Sequence, residues 1–183
     1  MNRRTISVPL AIPLAIAMAL VLLTGATAAK ILTRMDAGLE GLIATLPLLA
    51  GEAPGPLRGR VVIVSFFASW CAPCRREFAY LNEIRRAYST DDVAIVAINW
   101  LEYWGDYAGG RRMKRFIAET RPSFPLVEGS PAVSKRFGGV TRMPSLYIFD
   151  RRGRNAFRHG NRDDGSAMIV GRDRLIQIIE SLR

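Results

Sequence analysis

The sequence predicts an α/β fold in which one mixed sheet is covered by helices, behind a hydrophobic N-terminal segment. Three observations predict it. The main body opens on a β-α-β order of signals and closes on a β-β-α order, the pattern of a layered sheet-and-helix domain. Val61–Phe67 is, but for Ser65, a continuous β-branched and aromatic run, as a strand buried on both faces requires. Finally, the 183 residues are 49% hydrophobic and 23% charged, a globular balance that excludes a disordered, collagen-like or disulfide-dense chain.

Residues 1–29 carry Arg3 and Arg4 and then no charge from Thr5 to Ala29. The apolar stretch Val8–Leu23 runs into the small residues Thr24–Ala29, and as a helix a span of this kind reaches ~30 Å, about one hydrocarbon core. The arginines would stay cytoplasmic, so residue 30 onward would be exported to the periplasmic side of the inner membrane. Ala26-Thr27-Ala28 fits a signal-peptidase site, and the length of the run fits a retained anchor at residues 8–29; both outcomes stay open. Residues 30–58 read as a connector, mildly apolar at first and then turn-forming at Gly51-Glu52-Ala53-Pro54-Gly55-Pro56.

Residues 59–183 are expected to form the domain. After the strand Val61–Phe67, a helix begins with Pro73 in its first turn and shows an apolar stripe at Phe78, Leu81, Ile84 and Tyr88. Asp91-Asp92 marks a turn before a second strand, Val93–Ile98. Met113, Phe116 and Ile117 mark a second helix and Pro131–Phe137 a short third. Ser145–Phe149 is a further strand, closed by the turn Asp150-Arg151-Arg152-Gly153 and paired with Asn155–His159 as a hairpin. Leu175, Ile176, Ile178, Ile179 and Leu182 make the last helix amphipathic.

The formal net charge is +10, which favours acidic partners or anionic lipid. The basic residues read as scattered arginine pairs with no interleaved aromatics and no zinc-finger or helix-turn-helix pattern, so nucleic-acid binding is excluded. Two cysteines and one histidine cannot close a structural zinc site.

Trp70-Cys71-Ala72-Pro73-Cys74 is the informative stretch. Both cysteines fall where a buried strand gives way to a helix, and the unpaired N–H groups and dipole there stabilise a thiolate, the nucleophile of disulfide exchange. Cys71, nearer the helix end, would attack; Cys74, one turn inside, would resolve the mixed disulfide. A purely structural disulfide over so short a loop removes little unfolded-state entropy. A Cu(I) site built on the same two thiolates, with Met143 as a further ligand, is the alternative.

The run Leu57–Cys74, together with Phe137-Gly138-Gly139-Val140-Thr141-Arg142-Met143-Pro144 and the strand after it, resembles the exported TlpA, ResA and CcmG (DsbE)-like thiol-disulfide oxidoreductases of the thioredoxin superfamily. The resemblance covers roughly residues 56–183. It implies a thioredoxin-like three-layer fold with helices on both faces of the sheet, and a cis Pro144 facing the cysteine pair. It implies a substrate-facing surface of Trp70, Ala72, Pro73, Met143 and Pro144, and an acid, Glu102, that shuttles the Cys74 proton. Its partners would be disulfide-bearing proteins, such as apocytochrome c, and a membrane electron donor for re-reduction, with no cofactor beyond the two sulfurs. The chain departs from thioredoxin in having Ser65 where a buried aspartate stands, which implies that the thioredoxin proton relay is missing.

Overall fold

Asp36 caps the first described helix, its carboxylate accepting the Leu39 N–H at 2.8 Å. In this computed structural model residues 33–102, 110–160 and 168–183 are described, all within one unit, Leu32–Arg183. The expected export segment, residues 1–29, lies outside the described residues. Among the described residues no helix is long and apolar enough to cross a membrane.

The elements are α1 (Ala37–Ala44), β1 (Leu48–Ala50), β2 (Val61–Phe67), α2 (Ala72–Ala87), β3 (Val93–Asn99), α3 (Arg111–Thr120), β4 (Leu126–Glu128), α4 (Pro131–Arg136), β5 (Ser145–Phe149), β6 (Asn155–His159) and α5 (Arg172–Leu182). The stretch expected as a connector is therefore part of the fold. Leu39 and Ile43, one turn apart on α1, are fully buried, and β1 forms an edge of the sheet. Gly38 and Gly41 dilute the apolar period of α1, and β1 is too short to show an alternation.

The sheet runs β1-β4-β3-β2-β5-β6. β2 pairs in parallel with β3, and β3 with β4, while β5, β6 and β1 are antiparallel to their neighbours. Alternation along β2 divides the core. Val61, Ile63 and Phe67 pack with α2, α3 and α5, whereas Val62, Val64 and Phe66 pack with α1 and α4. That makes three layers, and explains why β2 shows no polar period. Each large aliphatic or aromatic side chain removed from water contributes on the order of 1.5–3 kcal/mol.

One aromatic cluster fixes the end of the sheet that matters. Phe78 of α2 lies 4.8 Å from Phe67, 5.0 Å from Phe116 of α3 and 5.3 Å from Phe124, ring centre to ring centre. It pins α2 and α3 to the last residue of β2, immediately before the turn that carries the cysteines.

Candidate active site

β2 ends at Phe67 and α2 starts at Ala72, so residues 68–71 must turn a buried strand into a helix. Cys71 does this as the N-cap. Its Sγ accepts the Cys74 N–H at 3.2 Å, and its own N–H donates to the Ala68 carbonyl at 3.0 Å. Pro73 falls in the first turn, where its missing N–H leaves no hydrogen bond unmade. Cys71 and Cys74 are joined in a disulfide, with Cα atoms 5.4 Å apart. Both are buried; the surface of the ring is Ala72, exposed, and Pro73, half-buried. Trp70 beside it is exposed and its indole N–H donates to the Leu101 carbonyl at 2.8 Å.

On reduction, a Cys71 thiolate would keep its place at the N-terminus of α2, facing orphan amides and the positive end of the helix dipole. Arg75, one turn on, adds a guanidinium that reaches the carbonyls of Ser69 and Cys71 at 3.3 and 3.4 Å. The same side chain pairs with Glu119 at 2.9 Å and lies over the Phe116 ring.

The loop after β3 is strapped to this turn. Glu102 Oε1 accepts the Ser69 N–H and an Asn99 amide hydrogen, both at 2.6 Å, and Oε2 accepts the Ser69 hydroxyl at 2.8 Å. Trp100 N–H donates to the Phe67 carbonyl, and Leu101 takes a left-handed backbone (φ 60°) that lets the chain reverse beneath Trp70. The Glu102 carboxylate is thus engaged by the backbone and side chain of the residue before Trp70.

The Met143–Pro144 bond is cis. Ser145, the next residue, stands opposite Phe66 in the sheet, which brings the cis step to the same end of β2 as the cysteines. Pro144 is buried, and Met143 is half-buried against the core cluster that includes Cys71 and Cys74. Trp100 donates from its indole to the Val140 carbonyl at 2.9 Å and ties this loop to β3. His159 lies on the edge strand β6, paired with Leu146 two residues after Pro144 and stacked on Phe157. Among the described residues no group of three or more His, Cys, Asp or Glu is arranged to hold a metal.

One residue of the site is absent from the sequence reading. Glu77, three residues past Cys74 on the same face of α2, is 1% exposed. Its Oε1 accepts the Ser65 hydroxyl at 2.6 Å, and its Oε2 is buried with no hydrogen-bond partner among the described residues. Burial pushes its pKa up to about 7, against the lowering effect of the Ser65 hydrogen bond. A buried carboxyl from α2 thus stands against Ser65 of β2. The signal was present: Ser65 interrupts an apolar strand, and Glu77 sits one residue before Phe78 and four before Leu81, on the apolar stripe.

The Redoxin family model matches residues 54–164. The chain is 32% identical to thiol:disulfide interchange protein HelX of Rhodobacter capsulatus over 64% of each protein. It is 29% identical to thiol-disulfide oxidoreductase ResA of Geobacillus thermodenitrificans over 53% of this chain and 52% of that protein. The chain thus spans about half to two thirds of the length of these curated relatives. Among solved structures, a putative thiol:disulfide interchange protein DsbE from Chlorobium tepidum superposes with a TM-score of 0.52 at 29% identity, over 68% of this chain and 80% of that one. A match spanning more than half the sequence, on the expected sheet and around the expected cysteines, places this chain in the Redoxin family of the thioredoxin superfamily.

Proposed function

We propose that this protein is an exported thiol-disulfide oxidoreductase that reduces protein disulfides with the Cys71-Ala72-Pro73-Cys74 dithiol. The observation that carries the reading is the disulfide at the N-cap of α2, with a cis proline brought to the same end of the sheet.

The reduced Cys71 thiolate attacks one sulfur of a substrate disulfide. A Cys71–substrate disulfide forms, and the other substrate sulfur leaves as a thiolate that takes up a proton. Cys74 then loses its proton, attacks Cys71 Sγ and expels the second substrate thiolate. Two electrons pass to the substrate, and the Cys71–Cys74 disulfide described above is the product. We assign the proton-accepting role to Glu77 rather than Glu102. Glu77 is a buried carboxyl titrating near neutrality on the Cys74 face of α2, whereas the oxygens of Glu102 are taken up by Ser69 and Asn99. Glu102 acts as a positioning residue that holds the turn carrying Trp70 and Cys71.

Trp70, Ala72, Pro73, Met143 and Pro144 form the substrate-facing surface, where Pro144 presents no N–H to the sulfurs and the Met143 backbone pairs with an extended segment. The hydrophobic run at residues 8–29, as anchor or cleaved signal, supports work on the periplasmic side of the inner membrane. A membrane dithiol donor returns the electrons in that oxidising space, and apocytochrome c is the substrate that the resemblance of the sequence implies. The test is a Cys74→Ser variant expressed in the native membrane. Resolution is then blocked and partners accumulate as mixed disulfides on Cys71; no covalent partner, or trapping through any other residue, contradicts the reading.

A further inference from the structure

Arginine pairs that are far apart in sequence come together on one face. α2 and α3 pack side by side, through Phe78 on Phe116 and through Asn82, whose amide donates to the Thr120 and Arg121 carbonyls. Their solvent side presents Arg76, Arg86, Arg111, Lys114, Arg115 and Arg121, all exposed. None of these has a carboxylate partner among the described residues. The carboxylates available on the two helices are already committed: Glu119 holds Arg75, Glu83 holds Arg172 of α5, and Glu77 is buried beneath. α3 has no acidic residue in its first turn and no side-chain cap at Gly110, so the positive end of its dipole adds to the field of its cations. Elsewhere the domain pairs several of its arginines, as Arg136 with Asp36, Arg154 with Asp150 and Arg151 with Asp92. A cluster of positive charge thus stands on the helix that carries the disulfide and on the helix beside it.

Resting on the reading of the cysteine pair as a redox site, we propose that the α2–α3 face is a docking surface for an acidic protein segment, and that substrate disulfides flanked by Asp and Glu are the preferred substrates. Such a segment is drawn in by the cations of α2 and α3, of which Arg76 lies two residues past Cys74. An anionic lipid surface would match the charge, but lying on this face it would cover Trp70 and Ala72, where a substrate disulfide has to arrive.

The test uses the reduced full-length protein and three disulfides: two synthetic peptides with the same internal disulfide flanked by four Glu or four Lys, and uncharged hydroxyethyl disulfide. Second-order rates are measured at about 20 mM and about 500 mM salt. At low salt the acidic peptide is reduced at least about tenfold faster than the basic one, and high salt brings the two within about twofold. In an Arg111→Glu/Arg115→Glu variant the acidic-to-basic ratio falls to one or below. Being a ratio within one preparation, it does not depend on the fraction folded. Equal rates for the two peptides, a preference unchanged by salt or by the charge reversals, or phosphatidylglycerol vesicles that bind this face and block the reaction would overturn the proposal. Failure to reduce even hydroxyethyl disulfide would instead remove the redox reading on which it rests.

Discussion

Replacing Glu77 by Gln keeps the shape of the side chain and its hydrogen bond to Ser65 but removes the titration. The wild-type carboxyl ionises near pH 7 in the folded protein and, exposed in the unfolded chain, near 4.5. The folded state therefore binds this proton more tightly. The resulting stability is fully present below pH 4.5, declines as pH rises at about 1.4 kcal/mol per pH unit, and is lost once pH passes 7. The accumulated loss is about 3 kcal/mol, with no discount for solvent because the group is fully buried. Urea unfolding of the oxidised protein at intervals from pH 5 to 8.5 reads it directly, since the bonded cysteines do not titrate. Asp36, Glu40 and Asp150, each held below the ordinary range by an arginine or by backbone N–H groups, affect stability only at the acid end, where it falls as they are protonated. Wild type should lose stability across the window and Glu77→Gln should stay nearly flat over the same range, so the two curves converge in slope only above pH 8. Parallel curves for the two proteins would refute the assignment of a near-neutral buried carboxyl.

Two further outcomes follow from the packing and the loop strap. Phe78→Ala empties the centre of the cluster formed with Phe67, Phe116 and Phe124 and should cost about 3–5 kcal/mol in urea unfolding; a loss under about 1 kcal/mol would mean that this cluster does not anchor α2. Glu102→Ala leaves the Ser69 N–H and hydroxyl and the Asn99 amide without their acceptor and should cost about 1–3 kcal/mol, with a change in Trp70 fluorescence as the turn loosens. Unchanged stability and fluorescence would remove Glu102 from its positioning role.

The central strands and the helix between them were legible because β2, α2 and β3 are long and carry unmixed periods, and a strand buried on both faces has to be apolar throughout. The turn holding Cys71 and Cys74 was legible for the same reason, since both of its boundaries were. β1 and β4 were not. Three residues bounded by Pro and Gly, as in Leu126–Glu128, carry no period, and what makes them strands is pairing with partners distant in sequence. Glu77 was hidden by residue type, because a glutamate in an amphipathic helix ordinarily marks the solvent face, and its burial depends on Ser65 of another element. Glu102 was found as a loop acid, but its hold on the Ser69 N–H is a tertiary contact that spacing cannot show. The cationic face was missed for a geometric reason. Arg76, Arg86 and Arg111 are dispersed along the chain and come to share a face only when α2 and α3 pack together.

The central claim is that Cys71 is an activated thiolate at a helix N-terminus with Cys74 held behind it. Iodoacetamide alkylation of the reduced protein, followed by residue and by pH, tests it most directly. Cys71 should be modified first, with an apparent pKa below about 7.5, while Cys74 stays protected until the protein unfolds. Equal reactivity of the two cysteines, preferential labelling of Cys74, or a Cys71 pKa at or above the ordinary thiol value of about 8.5 would contradict it.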